Sequence, residues 1–203
     1  MNKEIQIFGL RRSGIHALTT FFAFCVGKNV LLFNDYPLGE NPLITHLFRV
    51  SANKVVDESF FPFIRLSLLD VEGLGALLLQ SDKDILILTT YEDVSPKSLE
   101  FRNPVSVGHT CNKIFLIRNP FDLFASRMLK PDRKTDVTYN IKQAWKDYAY
   151  SCINNPCFSN SDYLCVIYDR FISDSYYKKS LCLMLGIAYS EEGLSRVSSI
   201  GGG

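Results

Sequence analysis

A short basic loop near the start of the chain carries the pattern that points most directly to chemistry. Residues 9–14 read GLRRSG and lie between the apolar run 5–8 and the longer apolar stretch 16–26. A strand, a glycine-bounded loop and a helix in this order bring the N–H groups of the loop together, where the helix N-terminus adds partial positive charge. Arg11 and Arg12 would add donor groups that never lose their charge. The loop therefore predicts a phosphate-binding cradle.

The residues after the second glycine distinguish this cradle from an ATP-binding loop. In the Walker A pattern, a Lys and a Ser or Thr follow that glycine and contact the terminal phosphates and Mg²⁺. Here Gly14 is followed by Ile15 and His16. The six cysteines form no CxxC pair, and the three histidines do not cluster with them, so no metal site is predicted. We expect an arginine-based anion site that works without a metal.

A second candidate anion site follows another apolar run. Arg118 comes directly after residues 113–117, and Asn119 with Pro120 forms a typical helix start. Ser126 lies about two turns into that helix. Because ligands of open α/β sheets bind at the carboxyl ends of the strands, both candidate sites should lie at one sheet edge. Two anion sites at one edge imply a ligand with phosphates at both ends.

Short apolar runs alternate with stretches of helical periodicity along the chain. The candidate strands are residues 5–8, 30–33, 84–88, 113–117 and 163–168, and the candidate helices include residues 16–26 and 137–153. Continuous Ile, Leu and Val runs suit strands that are covered on both faces. Strand–helix alternation therefore predicts an α/β fold with a mostly parallel sheet. Residues 35–80, interrupted by prolines, show no readable pattern.

The chain is nearly neutral and long enough for one domain. It has 203 residues, of which 47% are hydrophobic and 21% charged, with 22 Lys and Arg against 21 Asp and Glu. This composition excludes a disordered chain, and the missing basic excess excludes a general nucleic-acid binder. No apolar stretch approaches the ~20 residues of a membrane span, and no secretory signal is visible. We expect one domain over residues 1–203, a cytoplasmic location and reduced core cysteines.

Taken together, the two motifs resemble those of the P-loop-fold sulfotransferases, which use 3′-phosphoadenosine 5′-phosphosulfate. The 5′-phosphosulfate loop of that family is similar to residues 11–15. Its 3′-phosphate motif, an Arg-Asx-Pro turn with a Ser eight residues after the Arg, is similar to Arg118 with Ser126. Residues 166–171 and 181–187 resemble two later family segments in the correct order. The resemblance implies a three-layer, P-loop NTPase-like fold and sulfuryl transfer to a hydroxyl or amine of a carbohydrate or small metabolite.

The resemblance also implies roles for individual residues. Arg12 would contact the phosphosulfate near its bridging oxygen and take part in catalysis. Arg118 and Ser126 would bind the 3′-phosphate. The loop residues that would surround the 5′-phosphate are Arg11, Arg12, Ser13, Gly14, Ile15 and His16.

Three features depart from the family pattern. Arg11 stands where many members have Pro, and Ile15 stands where many have Thr, which removes one hydroxyl contact. The sequence stops at residue 203, where relatives continue into a Gly-rich loop that closes over the nucleotide. We therefore expect a domain that is truncated at its C-terminus or lacks this lid, with weaker cofactor binding as the result.

A sulfuryl acceptor also needs a general base, commonly a His or a carboxylate. Glu92, expected at the end of the third strand, is the first candidate. The other candidates that the sequence leaves open are Asp35, Glu40, His109 and His46.

Two other functions stay open at this point. A degenerate P-loop kinase would bind ATP with Mg²⁺, and the missing Lys-Ser/Thr pair argues against it. A non-catalytic nucleotide-binding or interaction module is compatible with the undetermined base and the abrupt C-terminus. The sequence indicates neither the acceptor nor the oligomeric state.

Overall fold

A parallel β-sheet forms the centre of the described structure. The computed structural model describes residues 3–26, 30–33, 86–97, 110–129, 139–154 and 163–191. Its strands are β1 (Lys3–Gly9), β2 (Val30–Phe33), β3 (Leu86–Glu92), β4 (Thr110–Ile117) and β5 (Tyr163–Ile167). Their spatial order is β2-β3-β1-β4-β5, and each neighbouring pair is parallel. The carboxyl ends of these strands therefore share one edge, with β1 in the middle, and the predicted parallel sheet is confirmed.

Helices cover both faces of this sheet. They are α1 (Ile15–Val26), α2 (Pro120–Met128), α3 (Tyr139–Asn154), α4 (Tyr168–Ser173) and α5 (Ser175–Leu185). Because successive residues of a strand point to opposite faces, Ile5 and Ile7 pack in one hydrophobic cluster with α1 and α5. Phe8 packs in a second cluster with α2 and α3. The architecture is the expected three-layer α/β fold, with the loop 9–14 between β1 and α1.

None of the described helices combines the length and the apolarity that crossing a bilayer requires.

Four of the five predicted strands have other bounds in the structure, including the first (Lys3–Gly9) and the fourth (Thr110–Ile117), which begin earlier than expected, and one helix start agrees with the expectation. The third strand continues to Glu92, since Thr89, Thr90 and Tyr91 are buried like the apolar residues before them. The fifth strand ends at Ile167, whose N–H donates to the hydroxyl of Tyr177, and the helix α4 begins at the next residue. At the start of α2, the Asn119 side chain accepts from the N–H of Phe121, as expected for a helix cap. Residues 34–85 lie outside the described residues.

One pair of cysteines contradicts the expectation of reduced thiols. Cys152 in α3 and Cys165 in β5 form a disulfide, with their Cα atoms 5.4 Å apart. Both belong to the hydrophobic cluster on the α2–α3 face, and packing of the helix against the sheet brings them together. Cys25, Cys111 and Cys182 are free. The expectation of reduced cysteines is therefore wrong for this pair.

Candidate functional site

The glycine-bounded loop forms a tight turn at the carboxyl edge of the central strand. The N–H of Ser13 donates to the Leu10 carbonyl over 2.9 Å, which closes the turn. Arg12 has a φ of +73° and Gly14 a φ of +100°, both in the left-handed region. A non-glycine residue held in this region costs on the order of 1–3 kcal/mol and persists only where neighbouring contacts enforce it. Arg12 therefore has a strained backbone at the centre of the predicted cradle.

Neighbouring groups leave no room for a side chain at either glycine of the loop. A Cβ atom at Gly14 would overlap the ring of Tyr168, the first residue of α4. A Cβ atom at Gly9 would lie 2.8 Å from the Oγ of Ser13. The missing side chain of Gly14 thus allows Tyr168, which directly follows β5, to pack against the loop.

Arg118 reaches the loop from the end of β4. Its Nη1 donates to the Arg12 carbonyl over 3.0 Å, and its guanidinium carbon lies 5.0 Å from the centre of the Tyr168 ring. The Nε1 of Trp145 donates to the Arg118 carbonyl over 3.0 Å and so fixes the backbone there. The Nε of Arg118 is buried and has no hydrogen-bond partner among the described residues. Leaving a buried donor unpaired costs about 1–3 kcal/mol, so an acceptor supplied by a ligand suits this position.

Two hydroxyl groups complete the arrangement. The Oγ of Ser126 accepts a hydrogen bond from the Nε of Arg12 over 3.0 Å, and Ser126 is 6% exposed. Ser13 is 1% exposed, and its hydroxyl has no hydrogen-bond partner within the described parts of the chain. The structure thus brings Arg12, Arg118 and Ser126 together beside the loop. A ligand with several phosphate oxygens fits these residues because it supplies the acceptors that Ser13 and Arg118 lack.

Glu92 lies beside the loop because β1 and β3 pair with Gly9 opposite Glu92. Its Oε2 lies 3.1 Å from the Nε of Arg11, and its Oε1 lies 3.9 Å from the Nε2 of His16. The Arg11 guanidinium therefore faces a carboxylate, whereas that of Arg12 faces a hydroxyl. The side chain of Ile15 is buried in the core, so only its backbone can contact a ligand. The other candidate bases lie outside the described residues: Asp35, Glu40, His46 and His109.

Two charged residues that the sequence analysis did not single out hold the loop from the side. Arg127, next to Ser126 on α2, donates to both carboxylate oxygens of Asp93, over 2.8 and 3.1 Å. Asp93 directly follows β3 and accepts from the N–H of Arg11 over 2.9 Å. The sequence signal that could have identified them is adjacency to predicted site residues, since Arg127 follows Ser126 and Asp93 follows Glu92.

Among the described residues, the charged side chains within the loop or in contact with it through ion pairs and hydrogen bonds comprise four arginines and two carboxylates. A sheet edge with this excess of positive charge attracts an anion. Within the described residues, no group of three or more His, Cys, Asp or Glu side chains is placed to hold a metal ion.

Solved structures with the same fold include two sulfotransferases. The structure of mouse sulfotransferase SULT7A1 complexed with PAP matches 98% of this chain at 14% identity, with a TM-score of 0.51. The sulfotransferase domain of the olefin synthase from Synechococcus PCC 7002 matches 99% at 17% identity, with a TM-score of 0.57. This chain spans 64% of the mouse chain, less than two thirds, and 81% of the Synechococcus domain. No protein-family model matches the chain, and no curated protein matches it.

At these identities the likeness concerns the fold. The chain has a sulfotransferase-like P-loop fold, and the resemblance seen in the sequence is confirmed at that level.

Proposed function

We propose that this chain is a sulfotransferase that moves a sulfuryl group from 3′-phosphoadenosine 5′-phosphosulfate to a hydroxyl or amine acceptor. The observation that carries the proposal is the convergence of Arg12, Arg118 and Ser126, which are joined by hydrogen bonds of 3.0 Å beside the loop. The fold shared with sulfotransferases, one of them complexed with PAP, supports the same reaction class.

The cofactor would be held at its two phosphorylated ends. The backbone of residues 11–16, the Ser13 hydroxyl and the Arg12 guanidinium would bind the 5′-phosphosulfate at the N-terminus of α1. Arg118 and Ser126 would bind the 3′-phosphate through short, charge-assisted hydrogen bonds. When bound, this cofactor supplies an activated sulfuryl group and a phosphate leaving group.

Arg12 is the residue that would stabilise the leaving group. In-line sulfuryl transfer depends mainly on positioning and on cations placed where negative charge develops. The hydrogen bond to Ser126 orients the Arg12 guanidinium before any ligand arrives. A guanidinium keeps its charge at all relevant pH values, so the proposed scheme needs no metal for this step.

Glu92 would accept the proton of the acceptor group. The ion pair of its Oε2 with Arg11 orients the carboxylate at the edge of the loop, and His16 lies on the side of the other oxygen. A general base must be within hydrogen-bonding reach of the proton that it removes. The end of β3 places Glu92 next to the loop that would hold the sulfuryl donor.

The acceptor in this proposal is a carbohydrate or another small metabolite, with no nucleic-acid partner. Residues 1–203 would form a single sulfotransferase-like domain. A cytoplasmic location stays a prediction, and the Cys152–Cys165 disulfide argues against it, because disulfides are rare in reducing compartments.

A non-catalytic nucleotide-binding module is the second candidate function. The observation that favours it is the ion pair of 3.1 Å between Arg11 and Glu92, because a carboxylate paired with a guanidinium takes up a proton less readily. Both candidates predict nucleotide binding, so turnover is what separates them.

Isothermal titration calorimetry with 3′-phosphoadenosine 5′-phosphate tests the cofactor. We expect the wild-type protein to bind and Arg118→Ala to lose about 10-fold or more in affinity, because hydrogen bonds to charged groups contribute about 1.5–3 kcal/mol each. Lys179→Ala, which removes an exposed positive charge from α5, is the matched control and should bind like the wild type.

The possible outcomes separate the candidates. No binding by the wild type, or unchanged binding in Arg118→Ala, contradicts the proposed cofactor. Binding without turnover on a panel of acceptors favours the non-catalytic module, and Mg²⁺-dependent ATP binding favours the kinase.

A further inference from the structure

A buried arginine lies beside the candidate site. Arg127 is 2% exposed and follows Ser126 on α2. A buried charge costs several kcal/mol unless it is paired and its hydrogen bonds are satisfied. The partners of Arg127 therefore indicate its role.

Arg127 donates hydrogen bonds to the Asp93 carboxylate and to a loop carbonyl. Its Nη1 and Nη2 donate to the Oδ1 and Oδ2 of Asp93, over 2.8 and 3.1 Å. The same Nη1 donates to the carbonyl of Arg11 over 3.1 Å. The planar guanidinium has the geometry for such a two-pronged contact, which a lysine cannot make.

Asp93 in turn holds the loop at two further points. Its N–H donates to the carbonyl of Gly9 over 3.0 Å, and its Oδ1 accepts from the N–H of Arg11 over 2.9 Å. Asp93 has a φ of +58°, in the left-handed region that aspartate adopts more readily than most non-glycine residues. The pair of Asp93 and Arg127 thus holds the backbone of residues 9–11.

These contacts bear on how the loop presents its N–H groups. A loop that binds an anion through N–H groups must direct its carbonyl groups elsewhere. The C=O and N–H of one trans peptide point in opposite directions, so the contact with the Arg11 carbonyl also fixes the direction of the Arg12 N–H. Arg118 holds the next carbonyl, that of Arg12, over 3.0 Å. Two arginines therefore fix two consecutive peptide groups of the loop.

We propose that Arg127 is a positioning residue that holds the loop backbone in its anion-binding orientation, acting through Asp93 and the Arg11 carbonyl. Its neighbour Ser126 contacts the Arg12 side chain, so one segment of α2 engages both the backbone and a side chain of the loop. The inference rests on the proposed function for the identity of the anion, and on the described contacts for the role of Arg127.

The variants Arg127→Lys and Asp93→Asn test this role. Lysine keeps the positive charge but loses the two-pronged contact, and asparagine keeps an acceptor for the Arg11 N–H and tolerates a positive φ. The readouts are hydrogen exchange of the amides of residues 9–16 and the affinities for 3′-phosphoadenosine 5′-phosphate and inorganic pyrophosphate. We expect faster loop exchange and affinity losses on the order of 10- to 100-fold in Arg127→Lys, because losing one hydrogen bond to a charged ligand costs about that much in affinity.

Two controls separate positioning from general destabilisation. Leu181→Ala removes a buried side chain of α5 on the opposite face of the sheet, so it should lower stability while keeping the ligand affinities. The double variant Arg127→Lys/Asp93→Asn should lose little more affinity than either single variant, because residues that act as one unit are not additive. A merely structural role would move affinity in step with stability in all these variants.

The outcomes also distinguish this proposal from the proposed function. If the wild-type protein binds pyrophosphate but not 3′-phosphoadenosine 5′-phosphate, the proposed cofactor is contradicted. The pyrophosphate affinities of the variants then still decide the role of Arg127. If neither ligand binds, loop exchange decides. The proposal is overturned if both single variants keep wild-type hydrogen exchange in residues 9–16. Where a ligand binds, it is also overturned if both variants bind that ligand with affinities within about twofold of the wild type.

Discussion

Arg12 and Ser126 are 114 positions apart in the chain, and the Nε of Arg12 donates to the Oγ of Ser126 over 3.0 Å. The contact joins the loop after β1 to the helix after β4, and these two strands are neighbours in the sheet. The family resemblance assigns Arg12 to the 5′ end of the cofactor and Ser126 to the 3′ end. In the proposed function, their contact would place the two half-sites side by side.

If Ser126 binds the 3′-phosphate as proposed, the effect of Ser126→Ala should depend on the ligand. We expect the variant to lose about 10-fold in affinity for 3′-phosphoadenosine 5′-phosphate, which would use the hydroxyl, and much less for adenosine 5′-phosphate, which has no 3′-phosphate. Calorimetry with both nucleotides measures the ratio. Equal losses for the two nucleotides would show that Ser126 acts only by orienting Arg12.

Glu92→Gln separates proton transfer from cofactor binding. Glutamine keeps the shape and a hydrogen-bond acceptor for Arg11 but cannot serve as a base at neutral pH. We expect kcat to fall by about 10²- to 10⁴-fold while the affinity for 3′-phosphoadenosine 5′-phosphate stays within about twofold. A variant with wild-type kcat would exclude Glu92 as the base. The next candidate would then be His16, whose Nε2 lies 3.9 Å from the Oε1 of Glu92.

The parts of the site that the sequence predicted are those that depend on local patterns. The continuous apolar runs specify buried parallel strands, and a glycine-bounded loop after the first strand needs only adjacent residues to be recognised. Arg118 could be predicted because Asn119 and Pro120 mark the point where a strand ends and a helix begins. Parallel strand order then places both motifs at one edge.

The parts that could not be predicted depend on contacts between distant segments. The partners Asp93 and Arg127 are 34 positions apart. Because Asp and Arg side chains are usually exposed to solvent, neither residue type indicates a buried ion pair. Likewise, the disulfide joins Cys152 on a helix to Cys165 on a strand, and no short spacing motif signals it. The start of α4 at Tyr168 was missed because an apolar run gives no sign of where a strand turns into a helix.

Gly14→Ala should destabilise the fold at the loop. The added methyl group would overlap the Tyr168 ring, and the φ of +100° is strained for alanine. Overpacking and backbone strain together predict a loss of about 2–5 kcal/mol in the free energy of unfolding, measured with urea. The Tyr168→Ala background removes the overlap but not the backbone strain. Adding Gly14→Ala to Tyr168→Ala should therefore lower the free energy of unfolding by less than Gly14→Ala does in the wild type, but still measurably. A single variant as stable as the wild type would contradict the packing of Tyr168 on the loop.

We expect Asp174 to make the stability of the fold depend on pH. Its Oδ1 accepts from the N–H of Tyr177 at the helix N-terminus, and this hydrogen bond, helped by Arg170, lowers the pKa of the carboxyl from its ordinary value. A lowered pKa in the folded state means that ionised Asp174 stabilises the fold above its unfolded pKa of about 3.9, and that this stabilisation is lost as the pH falls through the folded pKa.

Asp174→Asn is the matched comparison for this group, because it keeps a capping oxygen without the charge. The wild type should be more stable than the variant at pH 6, and the difference should shrink as the pH falls below about 4. Urea unfolding across this range measures it. A difference that does not change with pH would contradict a role for the charge.

The five described cysteines should fall into two classes when they are labelled in unfolded, unreduced protein. Cys152 and Cys165 should resist alkylation until a reductant is added, whereas Cys25, Cys111 and Cys182 should react. In the folded protein at pH 8, Cys111 should react slowly, because burial and the nearby Glu4 carboxylate raise the pKa of its thiol to about 12. Peptide mapping by mass spectrometry reads each position.

The double variant Cys152→Ser/Cys165→Ser tests what the disulfide contributes. The two cysteines are 13 positions apart, and closing a loop of this length predicts a stabilisation of up to about 3 kcal/mol. Cys111→Ser, which breaks no bridge, is the control. Two results together would contradict the disulfide and restore the expectation of reduced thiols. One is labelling of Cys152 in the wild-type protein without reductant, and the other is a double variant as stable as the control.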